Sequence, residues 1–181
     1  SDLPPLEMVQ ENLVSISGST GAESEPGRAN LEPTPQSAHI KLDMLEDGVV
    51  ALTLDNRAAS NAMSVEIIEE MATAYAWLET YAKARLAEGK RTALIERSDG
   101  ASFSAGAYIP GFVAIRDQAR AYAKAHGQDP EAAAAEAIYR YGRRFSEVWA
   151  NKRRLWNELG VLSISAVEGP ALGGGAEWTL E

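Results

Sequence analysis

Residues 169–178 read GPALGGGAEW, and they follow the apolar run LGVLSISAV at 159–167. Glycine is a poor helix and strand former, so three in a row at Gly173, Gly174 and Gly175 cost stability unless the backbone itself is needed. The order apolar strand, glycine-rich turn, helix leaves backbone N–H groups at the helix start without intrahelical partners, and the helix dipole adds positive character there. Such a turn suits an anion, or an oxygen that becomes anionic during a reaction. Glu177 stands three residues after Gly174, on the same helical face, so a carboxylate would sit beside the N–H that holds the oxygen. That pairing fits proton transfer next to a carbonyl. The bland alternative is a tight turn carrying a surface glutamate. A phosphate loop fits less well, because no Lys-Ser or Lys-Thr follows the glycines.

A second stretch of the same kind lies upstream: FSAGAYI, residues 103–109. It too leaves an apolar segment through small residues, and two such loops can aim one backbone N–H each at a single oxygen. Around them the periodicities are plain. AHIKLDML, EDG and VVALTLD give a β-hairpin over 39–55. Ser64 caps a helix with Val65, Ile68, Met71, Tyr75 and Leu78 at helical spacing, ending near Glu88 with Gly89 as its stop. RTALIER is a buried strand, residues 112–158 are helical with Asp129 as N-cap and Pro130 at the first position, and 159–167 is the last strand. The order β-β-α-β-α-α-β-α signals a mixed α/β fold. Residues 1–37, rich in Ser, Pro, Gly and Glu, read as a flexible N-terminal arm ahead of a core at 38–181.

Composition narrows the function. The 181 residues carry a formal net charge of -9, which argues against nucleic acid as a partner. The one basic cluster, Arg143 to Arg154, reads as a solvated helix face, with a landing site for a phosphorylated ligand as the alternative. There are no cysteines, which excludes disulfides, thiolate catalysis and cysteine-based zinc sites. His39 and His126 lie far apart and suit structural roles, so neither a metal site nor a Ser-His-Asp device is expected. No apolar run is long enough to span a membrane. The start, SDLPPLEMVQENLV, is acidic and lacks the pattern of a secretory signal or transit peptide. These features point to a cytoplasmic protein.

With FSAGAY and AVEGPALGGGAE in this order, preceded by VVALTLDNRAASNAMSVEIIEEM, the sequence resembles the crotonase (enoyl-CoA hydratase/isomerase) superfamily over about residues 39–181. The resemblance implies an α/β fold of the crotonase-like ββα spiral type. It implies a coenzyme A thioester as substrate, with no permanently bound cofactor. The thioester oxygen would sit between the N–H groups of Ala107 and Gly174, and Glu177 would be the catalytic acid/base. Ala105, Gly106, Tyr108, Gly173 and Gly175 would line the substrate site, Ala105 near the adenine end. A homo-trimer or hexamer is implied for a full chain.

The departures from the family pattern are specific. Tyr108 replaces the Asp usual after AGA and is expected to wall the pocket, with a hydrogen bond from its hydroxyl to the substrate as the alternative. Glu168 replaces a common Asn, the connector lacks its proline, and the helical stretch between the loops is longer than usual. Hydratases of the family use a second glutamate about twenty residues past the first, a position past Glu181, so the core is expected to be incomplete at its C-terminus. Hydration of an enoyl-CoA is the default reaction. The alternatives are an isomerase or thioester hydrolase of the same superfamily, or a non-catalytic homologue that binds acyl-CoA or a protein. A hydrolase using Ser104 as a covalent nucleophile lacks a base.

Overall fold

The structure, a computed structural model, describes residues 34–180. They belong to one compact unit, Glu32–Glu181. Most of the expected arm lies outside the described residues. Residues 34–37 run beside the first strand, where Gln36 Nε2 donates to the Leu42 carbonyl at 2.8 Å.

Strands β1 (Ile40–Glu46) and β2 (Val49–Leu54) form the expected antiparallel hairpin, with Ile40 opposite Leu54 and Leu42 opposite Leu52. β3 (Ala93–Ser98) pairs parallel to β2, and β4 (Leu162–Ser165) parallel to β3, giving the order β1-β2-β3-β4. Val50 through Leu54 are all buried, as a strand covered on both faces should be. β4 is shorter than the sequence predicts. Leu159 ends the preceding helix, and Gly160 closes it in the left-handed region at φ 60°, where a glycine carries no Cβ penalty.

Helix α1 (Val65–Ala87) buries Ile67, Ile68, Met71, Ala74, Tyr75 and Leu78, while Ser64 Oγ accepts from the Ile67 amide. Val65, expected on that face, is only half-buried, as the first residue of the helix. α2 (Ile109–Ala125) starts with Pro110 in its first turn. α3 (Pro130–Leu159) is capped by Asp129, whose carboxylate accepts from the Glu131 and Ala132 amides. α4 (Gly174–Leu180) follows the glycine turn.

Two arginines of the basic cluster on α3 reach across to α1. Arg144 makes a two-pronged contact with Glu69 of α1, 2.6 Å on each prong, and Arg154 pairs with Glu79. These cross-links stitch α3 to α1. They leave Arg144 and Arg154 engaged and count against the phosphate-landing alternative. Both histidines take local contacts: His39 Nδ1 lies 3.3 Å from the Asp55 carbonyl, and His126 stacks on Tyr122.

Candidate functional site

Three loops leave the same end of the sheet and lace together. The connector after β2 contains a 3₁₀ turn, Arg57–Ala59, followed by Ser60 and Asn61, both at positive φ. Asn61 is 1% exposed. Its side-chain amide donates to the carbonyls of Asp99 and Ser102 at 2.8 and 2.7 Å, and its Oδ1 accepts from the Asn56 amide. One buried asparagine thus fixes the loop after β3 to the loop after β2.

Ser104 is fully buried, with its hydroxyl donating to the Asn61 carbonyl at 2.7 Å and accepting from the Gly106 amide. It braces the loop, and its oxygen has no route to act as a nucleophile. The backbone of Ser104 also pairs with the third loop, accepting from the Leu172 amide and donating to the Pro170 carbonyl.

Met63 donates to the Gly106 carbonyl, and the Tyr108 amide donates back to the Met63 carbonyl. Ala107 sits between these two bonds, so its own N–H points away from the connector. On that other side lies Gly174: a Cβ placed on Gly174 would stand 3.8 Å from the Ala107 nitrogen. Among the described residues neither the Ala107 nor the Gly174 amide has a hydrogen-bond acceptor. Two N–H groups without an acceptor in adjoining loops are donors that a ligand oxygen can use.

Glycine is required where the loops touch. Gly106 has φ +85°, and a Cβ there would meet the Leu172 carbonyl oxygen at 2.5 Å. A Cβ on Gly175 would come within 2.7 Å of Ser104. Gly106 and Gly175 are buried, Ala107 and Gly174 are half-buried, and Ala105 and Gly173 are exposed. Ala105 donates its amide to the Ser60 carbonyl, and Gly173 accepts from the Glu177 amide at 3.1 Å. Tyr108 is 37% exposed, with its ring beside Gly111. Glu177 lies in the first turn of α4, and its side chain is exposed with no ion-pair partner among the described residues. Glu168 is exposed as well.

No family model and no curated protein matches the chain. Solved structures do. AtuE of Pseudomonas aeruginosa is 26% identical with a TM-score of 0.53, over 76% of this chain and 43% of that one. An enoyl-CoA hydratase/carnithine racemase from Magnetospirillum magneticum is 21% identical with a TM-score of 0.59, over 80% and 44%. An enoyl-CoA hydratase from Bacillus anthracis is 21% identical with a TM-score of 0.57, over 79% and 45%. The chain has the crotonase fold. It spans less than half the length of these crotonase-fold structures.

Within the crotonase fold, sequence reasoning missed a buried polar cluster beneath α4. Glu96 of β3 is fully buried. Its carboxylate pairs with Lys152 of α3 at 2.7 Å and accepts from the Tyr75 hydroxyl at 2.7 Å and the Trp178 indole N–H at 2.8 Å. Ser163 and Ser165 of β4 donate to the same oxygen that Lys152 holds. Burial, then the Glu96 charge, pushes the Tyr75 hydroxyl well above the usual tyrosine range, so it stays a donor. The Trp178 ring packs on Phe103, centroids 4.8 Å apart. A signal existed: Leu94 and Glu96 share the inward face of β3, so a charge there needed partners.

No helix among the described residues is long and apolar enough to cross a membrane.

Proposed function

We propose that this chain binds an acyl-CoA thioester and holds its carbonyl oxygen between the amides of Ala107 and Gly174, as part of an enzyme of the enoyl-CoA hydratase/isomerase type. The observation that carries the reading is the adjacency of those two unpaired N–H groups, in loops that also carry the family's motifs. α4 is short, with seven described residues, so the clamp rests on the two amides rather than on a helix dipole. As charge builds on the thioester oxygen, in an enolate or a tetrahedral species, the amides stabilise it. Each such donor is typically worth ~2.7–4 kcal/mol in the transition state.

Glu177 moves the proton. Its carboxylate stands one turn into the helix that supplies the Gly174 amide and is open to a ligand. Hydration of an enoyl-CoA is the leading reaction, with isomerisation and thioester hydrolysis as variants of the same clamp. Ala105, Gly106, Tyr108, Gly173 and Gly175 shape the substrate's path, with no resident cofactor. A cytoplasmic homo-trimer or hexamer belongs to the same reading.

The exposure of Glu177 favours one second reading, an acyl-CoA binder without turnover. Crotonyl-CoA hydration, followed by loss of the conjugated thioester absorbance, separates the two. The enzyme reading predicts turnover by the wild type, a loss of two or more orders of magnitude in Glu177→Gln, consistent with general acid–base contributions of roughly 10²–10⁴-fold, and retained binding. Binding with no turnover in the wild type supports the binder. Failure to bind any acyl-CoA contradicts both.

A further inference from the structure

The Lys152–Glu96 pair does more than fill the core. Lys152 and Glu96 are 3% and 0% exposed at their side chains. A buried ion pair adds little net stability over well-packed apolar residues of the same size. Here, however, the pair reaches the glycine-loop helix at two points. Lys152 Nζ donates to the Trp178 main-chain carbonyl, while Glu96 accepts from the Trp178 indole. The same indole N–H also lies 2.9 Å from the Tyr75 hydroxyl oxygen. The donors to Glu96 come from α1, α3, β4 and α4, so one carboxylate registers four elements at once.

We infer that Lys152 and Glu96 are positioning residues. Acting through Trp178, they set the height and rotation of α4, and with it the Gly174 amide and the Glu177 carboxylate relative to Ala107. The inference rests on the acyl-CoA reading above. Trp178 is the residue after Glu177, and its main chain and ring are both tied down. Its ring also presses on Phe103, which opens the Ala107 loop. One side chain therefore spaces both halves of the clamp. Clamp geometry has to hold to within ~0.5 Å to be productive, and a charged tether is less tolerant of sliding than an apolar contact.

The test uses the 181-residue chain and acetyl-CoA labelled with ¹³C at the thioester carbonyl, read by infrared difference spectroscopy. Two variants are compared with wild type. Glu96→Gln/Lys152→Met removes both charges together, leaving no unpaired buried ion. Trp178→Phe keeps the ring against Phe103 and removes the indole donor. The expected result is a downshifted carbonyl band in wild type that loses about half or more of its shift in both variants, a graded loss of donor geometry, while bound acetyl-CoA persists. Melting followed by circular dichroism confirms folding, and if the double variant is unfolded, Trp178→Phe decides. An unchanged band in a folded variant overturns the positioning role and leaves the acyl-CoA reading standing. A wild type that binds acetyl-CoA without any shift, or does not bind it, overturns the acyl-CoA reading and the positioning role with it.

Discussion

A Cβ placed on Gly106 would lie 3.1 Å from the amide nitrogen of Gly174 and 2.5 Å from the Leu172 carbonyl oxygen. The two glycine-containing loops thus meet backbone to backbone. Gly106→Ala has no relaxed solution, because φ is +85° and the nearest obstacle is main chain. Strain and overpacking together should cost about 2 kcal/mol or more, and acyl-CoA affinity should fall with it. Chemical denaturation and a binding titration check this. A variant of wild-type stability would mean the loops are not in contact.

Asn61 is the second keystone. Asn61→Ala removes two donated bonds and one accepted bond, and leaves the Asp99 and Ser102 carbonyls without that donor. A loss of about 2–4 kcal/mol is expected. Hydrogen exchange should rise first at residues 99–108, the loop that Asn61 holds. Uniform protection with full stability would contradict the role.

Part of this was legible in the sequence. The α1 stripe, the Asp129 cap and the two small-residue loops all follow from local rules, since periodicity and capping are local. The Arg143–Arg154 cluster and Glu96 were not legible in the same way. Their partners, Glu69, Glu79 and Lys152, lie far along the chain, and only the packing of α1, α3 and β3 brings them together. The end of α3 was misplaced because Leu159 continues an apolar run, while Gly160 sets the boundary. Asn61 carries no local signal, because its value lies in three bonds made across loops.

Asp55 gives a pH prediction. The Lys41 ammonium, then the Arg57 guanidinium, hydrogen-bond its carboxylate and hold it below its ordinary value of 3.8. A lowered carboxylate stabilises the fold above its unfolded pKa, and that contribution is lost as pH falls through the lower folded value. Wild type should therefore lose stability below about pH 4, and Asp55→Asn should flatten that limb of a melting-temperature profile. An identical acid limb in the variant would show that the pair contributes nothing.

Tyr141 predicts the opposite kind of outcome. Its hydroxyl is buried with no hydrogen-bond partner among the described residues, and burial, then the Glu66 charge, pushes it up to about 12. Tyr141→Phe removes an unsatisfied group, so melting temperature should hold or rise. The raised value means stability is full below the unfolded tyrosine pKa of about 10 and declines above it. The variant should show less of that alkaline decline. A loss of about 1 kcal/mol or more at neutral pH would mean the hydroxyl has a partner.

Amide NMR reads the Ala107 and Gly174 N–H groups directly. When acetyl-CoA is titrated into ¹⁵N-labelled protein, the Ala107 and Gly174 amide protons should both move downfield and saturate at one shared dissociation constant. If acetyl-CoA binds while either amide stays in place, or if the two respond with different constants, the clamp does not exist.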